Sequence, residues 1–149
     1  MRTALGTIGL AAMALLLAAW NASAHHSFAA EFDANAPVLL KGKVSKVEWI
    51  NPHAWIHLDV VQEDGSIVAW MVEGGTPNTL LRAGIDKNTV KIGTEIVVRG
   101  YQSKVKSCKP ACRANGRDIT FPDGRKLFMG SSGTGAPRDG ADPREPKRR

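Results

Sequence analysis

Four histidines lie at His25, His26, His53 and His57, and none follows in the rest of the 149-residue chain. Imidazole is the commonest protein metal ligand and the side chain that titrates nearest neutral pH. The first pair sits in "SAHHSFAAEF", directly after Ala22-Ser23-Ala24, a small-x-small pattern of the kind that signal peptidase reads. Cleavage after Ala24 would give His25 a free α-amino group. An amine and an imidazole on one residue can then grip a single metal ion, and His26 adds an amide nitrogen and a second imidazole. Such nitrogens suit Cu(II) and Zn(II), and a planar nitrogen set favours copper.

The second pair lies in "HAWIHLDVV", which alternates like a half-buried strand. His53, Trp55, His57 and Asp59 fall on one face, with Ala54, Ile56, Leu58 and Val60 on the other. Four residues apart on a strand, His53 and His57 are separated by about 13 Å, too far to share an ion unaided. An N-terminal arm laid across that face would bring His25 or His26 to one of them. Asp59 would then orient or neutralise the site from the same row. The same residues also have ordinary uses: His53 beside Asn51-Pro52 can cap a turn, and His57 can pair with an acidic neighbour. Only Met71 and Met129 follow residue 24, so the methionine-rich character of Cu(I) carriers is missing.

Tryptophans form a second candidate surface. A two-residue turn at Asp64-Gly65 would set Asp59 opposite Trp70 and His57 opposite Val72. Trp55 and Trp70 would then share a face able to take a small ligand, a sugar or another protein. Alternatively, such rings close the core or lie beneath Phe28 and Phe32. Catalytic signatures are lacking: there is no G-x-S-x-G elbow, H-E-x-x-H helix or phosphate loop. Asp59 and Glu73 could be drawn as a carboxylate pair, but their spacing does not set them apart from surface charges.

The elements that must position these residues read as β. "VLLKGKVSKVEWI" is rich in β-branched residues, and its alternation slips near Ser45-Lys46, as at a bulge. "IVAWMVEGG" is a third strand, apolar on both faces. "TPNTLLRAG" carries helix chemistry: Thr76 as N-cap, Pro77 in first position, Leu80 and Leu81 to bury, Gly84 to stop. "TEIVVRGYQS" is a fourth strand, and "GRDITF" and "RKLFMG" flank the turn "PDG" as a final strand or hairpin. Three strands, a short helix and two further strands is the order of the OB-fold, a five-stranded Greek-key barrel. We therefore expect an all-β, OB-fold-like small barrel with its helix between strands 3 and 4.

The expected organisation is a signal peptide at 1–24, an arm at 25–37, a barrel domain at 38–130 and a disordered basic tail at 131–149. Leu5–Trp20 carries no charge but falls short of the roughly 20 residues that span a bilayer, so no anchor is expected once the leader is cut. The tail combines Gly, Pro and charge without periodicity. The net charge of +6 permits polyanion contact, but an exported protein seldom meets nucleic acid, and none is expected as a partner. In an oxidising compartment Cys108 and Cys112, the two cysteines of the chain, read as a disulfide around Pro110.

The stretches "AHHSFAAEFD", "GKVSKVEWINPHAWIHLDV", "GTPNTLLRAG" and "FPDGRKLFMGSSG" resemble an uncharacterised family of exported bacterial proteins, domain of unknown function 6152. The likeness runs from His25 to Gly133, and the cysteine insert looks like a subgroup feature. It implies export and a small β-barrel, and carries no established activity, cofactor or catalytic residue. Separately, a terminal His25 resembles the histidine brace of copper-dependent polysaccharide monooxygenases and of some periplasmic copper carriers. The expected function is a non-catalytic binding module of the periplasm or the secreted fraction. In its sharpest form it holds copper, or zinc, through His25, His26 and one of His53 and His57. The other reading is an envelope module binding a protein or a glycan on the Trp55/Trp70 face without metal.

Overall fold

Alternation of apolar and polar residues, set by the two-residue repeat of extended chain, shapes most of this molecule. The computed structural model describes residues 28–130. In chain order the elements are α1 (Phe28–Glu31), β1 (Phe32–Glu48), β2 (Trp55–Val61), β3 (Ile67–Glu73), α2 (Pro77–Arg82), β4 (Glu95–Ser103), β5 (Cys112–Thr120) and β6 (Lys126–Phe128). The fold is all-β and mostly antiparallel, as expected. The sheet runs β3-β2-β1-β4-β5-β6, and a further parallel pairing joins β3 to β5. Pairings therefore pass in a ring through β1, β2, β3, β5 and β4, with β6 hung on β5.

The long first strand makes the ring possible. Its first part pairs with β4, from Phe32↔Ser103 to Lys43↔Glu95. Its last part pairs with β2, from Lys43↔Asp59 to Glu48↔Trp55. Between Val44 and Lys46 the register shifts, where the alternation slips in the sequence, because the extra residue bends the strand. Inward residues of every long strand meet in one core, including Leu40, Val44, Ile56, Leu58, Val72, Ile96, Val98, Ala114 and Ile119. α2 supplies Leu80 to this core. Its Thr76 Oγ1 accepts a hydrogen bond from the Thr79 amide at 3.1 Å, and Pro77 follows the cap as the sequence suggests.

Five expectations need correction. β1 begins at Phe32 rather than Val38, so the described part of the 25–37 segment is helix and strand instead of a separate arm. Leu81 is exposed and only Leu80 is buried, since a helix of two turns has room for one inward row. There are six strands instead of five, because the turn at 122–125 returns the chain as β6. β5 starts at Cys112, inside the stretch expected to be loop. The fifth is the β2–β3 register. The loop holds three residues, closed by Gln62 N–H donating to Ser66 O at 2.8 Å, with Gly65 at φ +80°. A third loop residue in left-handed conformation is the usual three-residue hairpin, and it moves the pairing by one. Trp70 consequently pairs with Leu58 and Asp59 with Ala69.

Cys108 and Cys112 are joined as a disulfide. Apart from the core, Phe28, Phe32 and Tyr101 form a smaller buried cluster. Phe28 packs edge-on against Tyr101 with ring centroids 5.4 Å apart. The proposed signal peptide, His25, His26 and the tail lie outside the described residues.

Candidate functional site

Cross-strand partners project to the same side of a sheet, so the registers define a surface. With Ile56, Val72 and Ala114 turned into the core, their neighbours in sequence face outward. One outward row is Glu48, Trp55, Glu73, Asn115 and Tyr101, one residue from each of five strands. The next row is Lys46, His57, Met71 and Arg113. α1 lies over the β4–β5 end of this face. Lys104 donates from its amide to Glu31 O at 2.9 Å and from Nζ to Ala29 O at 2.6 Å. Glu31 reaches Arg113 at 3.4 Å, and the Arg113 guanidinium stands 5.1 Å from the Trp55 ring centre.

His53 and His57 share the face as expected but are not brought together; each has its own carboxylate. His57 Nε2 lies 2.9 Å from Glu48 Oε1. Lys46 first, and His57 after it, hold the Glu48 carboxyl below its usual range. This is the ordinary ion-pair role open to a strand histidine.

His53 is different. It precedes β2, and the next residue is pinned on both sides: Ala54 N–H donates to Gly75 O, and Gly74 N–H donates to Ala54 O. His53 Nδ1 is buried, with no hydrogen-bond partner among the described residues. It faces Glu73 Oε1 at 3.8 Å, beyond hydrogen-bonding distance. Glu73 is itself buried. Burial pushes its carboxyl above the ordinary value of 4.5, with Glu31 adding to the rise, against the pull of His53, Arg113 and Asn115.

The remaining sequence candidates separate. Asp59 sits opposite Lys43 and Ala69, one step beyond His57 and away from His53. Trp55 is half-buried on the outward face, whereas Trp70 packs against the core. The expected two-tryptophan surface is therefore absent, a direct result of the three-residue hairpin loop. Glu73, Asn115, Arg113 and Glu31 were not singled out as site residues. Glu73 left one usable signal: it is the lone charge closing a strand that is apolar on both faces. Among the described residues no group of three histidine, cysteine or acidic side chains is placed to hold a metal. His53 and Glu73 supply two donors, and any further donors must come from elsewhere.

The ring of strands thus carries His53 and the buried Glu73 side by side on its outer face. The chain belongs to the family of unknown function DUF6152, which matches residues 13–110. The matched segment takes in α1 through β4 and ends before β5, so Arg113 and Asn115 lie beyond it. No curated protein matches the chain. Among the described residues no helix is long and apolar enough to cross a membrane.

Proposed function

We propose that this protein is an exported, non-catalytic binding module that holds copper, with zinc as the second choice. The ligands in this reading are the amine and imidazole of a terminal His25, the imidazole of His26, and His53. The observation that carries it is the unpartnered, buried Nδ1 of His53 on the face that α1 crosses. A buried polar atom without a partner costs about 1–3 kcal/mol, and a bound ion removes that cost. His57 is already engaged with Glu48, whereas His53 Nδ1 has no hydrogen-bond partner among the described residues, which favours His53 as the strand-side ligand. The two-tryptophan interaction surface, our other reading of the sequence, retains only Trp55.

The test begins with mass analysis of the exported protein, which fixes its first residue. Cu(II) is then titrated into the chain beginning at His25 and into a form carrying one extra N-terminal residue. We expect at least tenfold tighter binding by the former, because the extra residue removes the amine–imidazole chelate. Equal weak binding by both forms would sink the reading. An unchanged affinity in His53→Ala would take the strand side out of the site.

A further inference from the structure

We propose that the open edge of β3 at residues 67–69 docks a second copy of this chain, the two edges running antiparallel about a two-fold axis. The hairpin ladder shows which groups are free for this. Gln62 N–H donates to Ser66 O, and bonded and non-bonded pairs alternate along an antiparallel ladder. Val61↔Ile67 and Asp59↔Ala69 are therefore non-bonded pairs, and Ile67 and Ala69 turn their amide and carbonyl groups away from β2. Met71 and Glu73 turn theirs the same way, and there β5 receives them, from Trp70↔Cys112 to Glu73↔Asn115. β5 begins at Cys112, the residue that closes the disulfide ring, so it does not run on beside Ala69. Among the described residues no strand covers residues 67–69 on that side.

The side chains on this edge leave it open to pairing. Exposed edges commonly carry a lysine or a proline that blocks contact between molecules. The stretch of β1 before its β2 pairing has Pro37 and Lys41, and β6 has Lys126. Residues 66–70 have neither. Val61 and Ile67, partners across the hairpin, are 66% and 65% exposed, and their outward side chains would meet those of the other copy. Charge then selects the occupant. The hairpin tip at one end of the open stretch carries Glu63 and Asp64, and the cysteine loop at its other end carries Lys106 and Lys109, all exposed. Lys106 Nζ is directed to the neutral Gln102, so its charge is not cancelled. Antiparallel pairing brings the acidic tip of each copy to the basic loop of the other, twice over by symmetry. Parallel alignment would set tip against tip and repel. The contact is small, which places it among the weak, reversible interfaces.

The experiment is sedimentation of the chain beginning at His25 over a dilution series, without reductant and with a chelator so that no metal joins copies. We expect a reversible dimer that weakens with added salt. Ala69→Pro deletes an N–H that points away from β2, so the hairpin keeps its own bonds, and it should weaken the dimer roughly tenfold or more. Ile67→Lys, which places a charge on the open edge, should do the same. Lys109→Glu should weaken it about tenfold, and adding Glu63→Lys to that chain should restore it. Thermal melts check that each variant folds as the parent does. A monomer at every concentration overturns the proposal. So does a dimer left unchanged by whichever of Ala69→Pro and Ile67→Lys folds, since the contact then lies on another face. A charge swap that fails to restore the dimer overturns the antiparallel arrangement.

Discussion

Glu73 carries a cost that depends on pH. Its carboxyl is pushed above 4.5 chiefly by burial, so just above that pH the folded protein keeps a proton that the unfolded chain has released. The folded state then binds more protons, and stability falls as pH rises through this window. Metal-free Glu73→Gln should therefore melt a few degrees above the parent at pH 7, with the gain gone at pH 4. Thermal melts at the two pH values check this; equal melting at pH 7 would show that the buried charge carries no penalty. A residue that lowers stability where it sits is what a binding site often requires.

At the scale of elements, α1 is small but firmly held. Phe28 is buried in a cluster with Phe32 and Tyr101, apart from the main core. Phe28→Ala should cost about 3 kcal/mol in urea unfolding and release the helix from Tyr101. How much was readable varied with the local physics. The β2 alternation, the bulge at Ser45-Lys46 and the Thr76-Pro77 cap were legible because each depends on adjacent residues. The face of Trp70 was not, because it turns on whether the hairpin loop has two residues or three, and Asp64-Gly65 serves both. β1 was begun too late because Asp33, Asn35 and Pro37 disfavour strands, although β4 pairs with Phe32 and again with Pro37. The His53–Glu73 pair needed the β2–β3 register and the burial of a strand end, and neither is written locally.

For the molecule as a whole, the Cys108–Cys112 bridge closes a small loop immediately before β5. A loop of this size stabilises by about 2 kcal/mol through the entropy of the unfolded chain. Urea unfolding with and without dithiothreitol should show that loss; no change in midpoint would mean the loop is held by its packing alone. Cys112 is also the first β5 residue paired with β3, opposite Trp70, so the bridge secures the point where the ring of strands closes.

That closure has a consequence for how the chain is made. The β2–β3 hairpin needs only local contacts and forms within microseconds, whereas β3 meets β5 through Trp70↔Cys112 and Glu73↔Asn115, residues far apart in sequence. Until residue 112 has arrived, one edge of β3 from Trp70 to Glu73 has no neighbour. An open strand edge rich in apolar residues is a template for pairing between molecules. Fragments that stop before Cys112 should therefore aggregate, and a nascent chain is most exposed to its own copies during the interval before β5 docks.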